Sequence, residues 1–224
     1  MTDDLALEPT DIRVLAVLAE KERLTPDNYP LSLNALANGC NQLTSRDPVM
    51  SVSETDVQQS LDKLAAARLV AEVSQAGARV PKYEHRMRLR WTLEQDKLAA
   101  LVMLMLRGPQ TAAEVRTRAG RMHEFESVAA AEAALQFLID KYPPLAVRMA
   151  RAPGTKEVRY AHLLSGEQGA LEAAGVQEGV SVSTSASASA RVDRVSALEQ
   201  EVAALKAEVE RMSQEFAEIR RLLE

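Results

Sequence analysis

The chain has 224 residues, an apolar fraction of 46% and an aromatic fraction of only 4%. Its formal net charge of −5 argues against a generally basic nucleic-acid coat, and its single cysteine excludes an intrachain disulfide. Three scattered histidines lack the spacing of a zinc site, and the acidic start lacks the features of an export signal. These bounds predict a cytoplasmic, mainly helical protein without a metal, a cofactor or a membrane span.

Apolar spacing in the first part of the chain predicts three helices followed by a hairpin. The first helix runs through Ile12–Leu24, and a short second helix, Leu33–Cys40, turns asparagines outward. Ser53 begins a capping box that opens the third helix. Two extended runs follow, Leu69–Ser74 and Val80–Arg86, with a glycine between them that can form the turn. This order is typical of a winged helix.

The same order then recurs. Leu98 opens an apolar helical pattern like that of the first helix, Thr111 can cap a second short helix, and Ser127 opens a third. A second hairpin is predicted from the runs Leu145–Ala150 and Glu157–Leu163. The sequence KYEH of the first hairpin is matched by RYAH in the second. The repeat predicts a mainly α fold with small β-hairpins (α+β), in which two winged-helix domains lie in tandem.

The last part of the chain has a different composition. A Ser/Ala-rich stretch is too polar to fold and predicts a flexible linker, after which apolar residues alternate at spacings of three and four. This heptad pattern predicts a parallel coiled coil and a homodimer, although a partner of another kind or a helix folded on its own domain is also compatible with it. The predicted regions are 1–92 and 93–165 (winged helices), 166–190 (linker) and 191–224 (coiled coil). The predicted dimer contacts are Val195, Leu198, Val202, Leu205, Val209, Met212, Phe216, Ile219 and Leu223.

Several motifs together resemble one bacterial family. They are the segment YPLSLNALANGCNQLTSRDPVMSVSETDV, the segment LRGPQTAAEVRTRAGRMHEF, the segment YAHLLSGE and the terminal heptads. In this order, over nearly the whole chain, they resemble the YceH family. The resemblance implies a pair of winged-helix domains with a terminal coiled coil, and it implies no established biochemical activity.

Two functions fit this architecture. Winged helices often place the third helix in the major groove of DNA while the wing contacts phosphate, so a DNA-binding protein, such as a transcriptional regulator, is the leading hypothesis. The third helix of the first domain is acidic, which favours binding through basic wings over base reading and leaves a protein-interaction scaffold as the rival. The candidate nucleic-acid contacts are Arg46, Gln58, Gln59, Arg79, Lys82, Arg86, Arg116, Arg118, Arg148, Arg151, Lys156 and Arg159.

The loop NGCNQLTSRDPVMS is longer than the turn of a simple helix-turn-helix. One interpretation holds Arg46 outward, so that it and Asn41 contact a phosphate or a peptide. The other makes the loop a structural link that is fixed by its own hydrogen bonds. No serine elbow, phosphate-binding glycine loop or paired carboxylates can be recognised, so no enzymatic activity is predicted.

Overall fold

A computed structural model of the protein describes residues 6–73, 80–149 and 157–166. Within these residues the chain forms seven α-helices, one 3-10 turn and five short strands. The helices are α1 (Pro9–Leu24), α2 (Leu33–Cys40), α3 (Glu54–Ala66), α4 (Met87–Trp91), α5 (Gln95–Arg107), α6 (Ala112–Ala119) and α7 (Val128–Asp140). The strands are β1 (Leu31–Ser32), β2 (Val70–Val73), β3 (Lys82–His85), β4 (Ala146–Arg148) and β5 (Tyr160–His162).

The helices α1 and α5 form the centre of the molecule. Every residue from Asp11 to Glu20 and from Leu98 to Leu106 is buried. The two helices pack against each other, and each also packs against the second and third helices of its own half. Because α1 is enclosed on all sides, its polar residues Asp11, Arg13 and Glu20 are buried with its aliphatic ones. A buried charge needs a partner, so this helix requires polar contacts from its surroundings.

The strands form two small antiparallel sheets at the ends of the two halves. In the first half, β3 lies between β1 and β2, with Leu31 opposite Tyr83. In the second half, β4 pairs with β5, and Gln110 forms an isolated bridge with Tyr160. The position of Gln110 opposite Tyr160 therefore corresponds to that of Leu31 opposite Tyr83. The next residue in each half, Ser32 or Thr111, caps the following helix through its hydroxyl group.

The two halves of the described chain, residues 6–93 and 94–166, share one apolar core. Besides the α1–α5 contact, the Leu7 N–H donates to the Leu164 carbonyl at 2.7 Å, and the Asp47 N–H donates to the Leu106 carbonyl at 2.8 Å. These bonds join the start of the first half to the end of the second, and the 38–51 loop to α5. The halves are therefore held together by backbone as well as apolar contacts.

The predicted mainly helical α+β class is confirmed, as are the third helices, which begin after Ser53 and Ser127. The predicted hairpins are present as β2–β3 and β4–β5. Their tips, at 74–79 and 150–156, lie outside the described residues, as do the predicted linker and coiled coil. Among the described helices, none is long and apolar enough to cross a bilayer.

Candidate functional site

Arg46 does not point outward, which corrects the expectation that it contacts a phosphate. Its side chain is buried and meets the Glu20 carboxylate at two points, with Nη1–Oε1 at 3.1 Å and Nη2–Oε2 at 2.6 Å. Its Nε also donates to the Gly39 carbonyl at 3.3 Å, and its Nη2 donates to Gln42 Oε1 at 2.8 Å. Among the described residues, Arg46 and Lys21 are the cations within ion-pair distance of the buried Glu20, and Arg46 serves as its buried counter-ion.

A second buried arginine also fixes this loop, through hydrogen bonds from α1. Arg13 on α1 donates to the Cys40 carbonyl at 3.3 Å and to the Pro48 carbonyl at 2.7 Å. Burial lowers the pKa of Arg13, and the nearby Arg46 charge adds to this effect. Asn41 closes the loop through two bonds of 2.8 Å with the backbone N–H and carbonyl of Val52. The structural interpretation of this loop is therefore correct for Arg46 and Asn41.

The loop nevertheless exposes apolar side chains. Leu43 is 80% exposed and Val49 is 51% exposed, although the backbone between them is anchored at several points. Cys40, at the start of the loop, is buried, and this burial raises the pKa of its thiol to about 12. A thiol with such a pKa has little thiolate at neutral pH and is unreactive.

The outward face of α3 offers few free groups for reading bases. Gln58 donates to Asp62 Oδ1 at 2.9 Å and accepts a long bond, 3.4 Å, from the Tyr83 hydroxyl of β3. Gln59 is exposed on the same helix. Glu54 and Asp56 lie in the first turn of α3, so the face that would approach DNA is acidic. Phosphate groups are repelled by such a face.

The second half repeats the contact between strand and third helix. The Tyr160 hydroxyl of β5 donates to Glu132 Oε1 of α7 at 2.9 Å. Glu132 follows Ser127 by the same number of residues as Gln58 follows Ser53, so the two tyrosine contacts are equivalent. The outward face of α7 contains alanines, an exposed Val128 and Phe137, whose ring lies about 5 Å from the ammonium groups of Lys97 and Lys141.

The predicted basic hairpins are described only at their bases. Lys82 on β3 is part-exposed and Arg148 on β4 is exposed, while Arg86 pairs with Glu84 at 2.7 Å. An exposed pair of this kind contributes little stability and can separate when a ligand arrives. The candidates Arg79, Arg151 and Lys156 lie outside the described residues.

Two further candidates share one carboxylate beside the second hairpin. Glu114 on α6 lies 3.2 Å from Arg118 and 3.6 Å from Arg159. Arg118 also donates to Gln110 Oε1 at 2.8 Å, and Arg159 donates to the Pro109 carbonyl at 2.6 Å. Arg116 lies on the same helix and donates to the Phe125 carbonyl at 3.2 Å. The structure thus brings Arg118 and Arg159 together and leaves Arg116 with a different contact.

The histidines at equivalent strand positions have different surroundings. His85 is buried, and its Nδ1 accepts a hydrogen bond from the Met87 N–H. The distance from its Nε2 to the Glu22 carboxylate is 3.2 Å, but the geometry is not that of a hydrogen bond. This contact, with help from Arg88, lowers the pKa of the Glu22 carboxyl. His162 has a buried Nδ1 without a partner among the described residues, although the residue as a whole is part-exposed. Burial lowers the pKa of His162 to about 4.

One basic region was not predicted as a unit because its members are far apart in sequence. The carbonyl of Met122 accepts from Arg23 Nε at 3.3 Å and from Gln95 Nε2 at 3.1 Å. Arg88 on α4 donates to Gln95 and to Glu22. The end of α1, the short helix α4 and the segment after α6 therefore meet at one point between the two halves. In the described residues, no group of three or more histidine, cysteine or acidic side chains could hold a metal ion.

The chain matches the family model described as "Protein of unknown function, DUF480" over residues 7–155. It belongs to this family. It is 61% identical over 213 residues to a UPF0502 protein of Janthinobacterium sp. (strain Marseille), covering 95% of this chain and 89% of the relative. A UPF0502 protein of Shewanella pealeana is 43% identical over 211 residues, covering 92% of this chain and 98% of the relative. The resemblance to the YceH family is thereby confirmed, and these relatives have no assigned function in their names.

Proposed function

We propose that this protein is a DNA-binding dimer that acts through two winged-helix modules per chain and has no enzymatic activity. One repeated feature carries the proposal. In each half, a basic residue, Lys82 or Arg159, precedes the tyrosine whose hydroxyl contacts the third helix. Because successive side chains of a strand point to opposite faces, each basic side chain lies at the base of the wing on the face opposite the tyrosine, where Arg159 meets Glu114 of the second helix. Winged-helix proteins use this region to contact phosphate.

Contacts to phosphate are favoured over base reading in this proposal. Gln58 is engaged by Asp62 and Tyr83, and the exposed face of α3 is acidic. The helix α7 has Glu132 and apolar side chains at the corresponding positions. A phosphate would also have to displace Glu114 from Arg159, at a cost of about 0–1 kcal/mol for an exposed pair. The interface would therefore be small, with weak sequence preference.

A dimer would compensate for a small interface. The heptads of residues 191–224 lie outside the described residues, and their sequence favours a parallel two-stranded coil. Such a coil would present each pair of modules twice and raise the avidity for one duplex. Deletion of residues 191–224 should leave folded monomers in light scattering, and a persistent dimer would place the interface elsewhere.

The test of DNA binding is its dependence on salt. The full-length protein should retain a labelled duplex at low salt, and log affinity should fall with log salt by about 0.9 per phosphate contact. The double variant Lys82→Gln/Arg159→Gln should reduce that slope. The control Lys63→Gln removes an exposed lysine that pairs with Glu8 and should leave the slope unchanged. No retention of the duplex by the full-length dimer at low salt would refute the proposal.

A protein-interaction scaffold is the second candidate, and the exposed apolar side chains favour it. Leu43 and Val49 project from an anchored loop, and α7 exposes Val128 and Phe137 beside an otherwise small-residue face. Large exposed apolar groups are typical of protein contacts. A defined protein that stays bound at high salt and is lost on Asp62→Ala or Leu43→Ser would support the scaffold over DNA binding.

A further inference from the structure

We infer that the junction between the two halves binds an acidic segment of a partner protein that carries an apolar side chain. The surface, called here the junction seam, consists of Arg23, Arg88, Leu89, Arg90 and Arg121. Arg23 and Arg88 are linked through Gln95 and the Met122 carbonyl. Leu89 and Arg90 follow Arg88 on α4, and Arg121 precedes Met122. This inference goes beyond DNA binding and does not depend on it.

The seam has an excess of positive charge. Arg23, Arg90 and Arg121 are exposed, and among the described contacts Arg23 uses only its Nε, on a neutral carbonyl. Of the nearby carboxylates, Glu22 is already shared between Arg88 and His85. Glu94 and Asp96, on either side of Gln95, pair with Lys97, and Glu124 is exposed near Arg121. Several guanidinium groups therefore remain to bind carboxylates, for which their forked geometry is suited.

Leu89 distinguishes a protein partner from a nucleic acid. Its side chain is 73% exposed although arginines flank it on both sides. A phosphate backbone offers nothing that would cover this leucine. Protein interfaces, in contrast, combine arginines with apolar contacts that lose water on binding. The combination of charge and apolar surface therefore fits an acidic segment in which a leucine or a similar residue packs on Leu89.

The backbone of the junction seam is fixed by buried side chains in the unbound protein. Trp91 and Met87 are buried on either side of Leu89, so α4 is fixed to the core. Met122 is also buried, and its carbonyl accepts from the end of α1 and the start of α5. The side chains of Arg23 and Arg88 are therefore preorganised by contacts with both halves, which reduces the entropic cost of association.

The test uses purified full-length protein and three labelled probes. They are a short peptide of repeating Glu-Glu-Leu-Glu, the same peptide with serine in place of leucine, and a DNA duplex. The leucine peptide should bind the natural protein, and the serine peptide should bind less tightly. Arg90→Gln/Arg121→Gln should weaken binding of the leucine peptide by roughly fivefold, because two exposed ion pairs with the peptide are lost. Leu89→Ser should weaken the leucine peptide and leave the serine peptide unchanged.

A matched control places the same changes elsewhere on the surface. Lys63→Gln/Tyr142→Ser removes one exposed basic side chain and one exposed apolar side chain outside the seam, and should leave peptide binding unchanged. Failure of the leucine peptide to bind would overturn the inference. So would a duplex that competes with the peptide and is lost in Arg90→Gln/Arg121→Gln while Leu89→Ser has no effect, because the seam would then bind phosphate. DNA binding that depends only on Lys82 and Arg159 would leave the inference standing.

Discussion

In each half a loop connects the second helix to the third, and the two loops are held in place by different contacts. In the first half, residues 41–53 are fixed by Arg46 on Glu20, by Arg13 on two carbonyls and by the Asn41–Val52 pair. In the second half, residues 120–127 are shorter and place Met122 and Phe125 in the core. The first connection is held by a buried ion pair and hydrogen bonds, whereas the second combines apolar burial with side-chain hydrogen bonds to the Met122 and Phe125 carbonyls.

The difference concerns energy as well as geometry. Apolar burial is favourable without any partner, so Phe125 stabilises its connection directly. A buried ion pair gains little net stability because both charges lose their water, yet removing one partner is costly. The first connection is therefore sensitive to single changes even though its polar contacts add little as a set. These polar contacts nevertheless hold a longer loop in one conformation, in which Leu43 and Val49 are exposed.

The largest expected effect is that of Arg46→Ala. This change leaves Glu20 buried without its bidentate partner, so we expect a loss of about 4 kcal/mol in the free energy of unfolding. Urea unfolding measures the loss, and the Cys40 thiol gives a local readout. Its pKa of about 12 keeps it unreactive toward a thiol reagent until the loop is released.

The double variant Glu20→Met/Arg46→Met provides the control for that measurement. It removes both charges of the pair together and should recover part of the stability, although the Gly39 carbonyl loses its donor. If Arg46→Ala lay within about 1 kcal/mol of the natural protein, the pair would not be the anchor described here.

Phe125→Ala tests the apolar connection in the other half. The ring is buried and contacts the His123 ring edge-on at 4.7 Å between centroids. Its loss should cost about 3 kcal/mol through lost burial and a residual cavity. Unlike Arg46→Ala, this variant should leave Cys40 unreactive in the native state. An equal rise in thiol reactivity in both variants would show that the two connections unfold together.

Two glycines, one in each half, test the same difference between the halves, with smaller expected changes in stability. In the first half, a Cβ on Gly39 would lie 2.6 Å from Val17 Cγ1, and valine has few rotamers with which to yield. Gly39→Ala should therefore cost about 1–3 kcal/mol by overpacking. In the second half, the nearest atom to a Cβ on Gly120 is the Thr117 carbonyl oxygen at 3.7 Å, so Gly120→Ala should be neutral or slightly stabilising. Equal destabilisation in thermal unfolding would contradict this account.

The sequence predicted the parts of the fold that depend on apolar spacing and capping. Ser53, Thr111 and Ser127 cap their helices as expected, and the apolar pattern that Leu98 opens is buried in α5. These features follow from local periodicity and from the tendency of apolar side chains to be buried. They require no knowledge of which helices meet.

The candidate site was less predictable, because it depends on long-range polar contacts. Arg46 looks like an exposed loop arginine in sequence, since its partner Glu20 is 26 residues away on a helix that appears amphipathic only in part. The burial of α1 from Asp11 to Glu20 follows in part from its contact with α5, which no local pattern encodes. The junction seam has the same origin, because Arg23, Gln95 and Met122 meet only in the folded chain.

The smallest expected effect is the acid sensitivity that His162 adds to the stability of the fold. His85 has a carboxylate 3.2 Å from Nε2, whereas no such group lies beside the buried Nδ1 of His162 among the described residues. Burial lowers the pKa of His162 from 6.5 to about 4, so its neutral form is the one that the fold favours. The unfolded chain therefore binds the proton first as the pH falls, and stability is lost between pH 6.5 and 4.

Between pH 7 and pH 5 the free energy of unfolding should fall by roughly 1–2 kcal/mol because of this residue. The variant His162→Gln should remove this fall. The control Tyr142→Phe changes an exposed side chain and should retain it. Urea unfolding at the two pH values measures the difference, and an unchanged pH dependence in His162→Gln would mean that the ring takes up its proton in the fold as readily as in the unfolded chain.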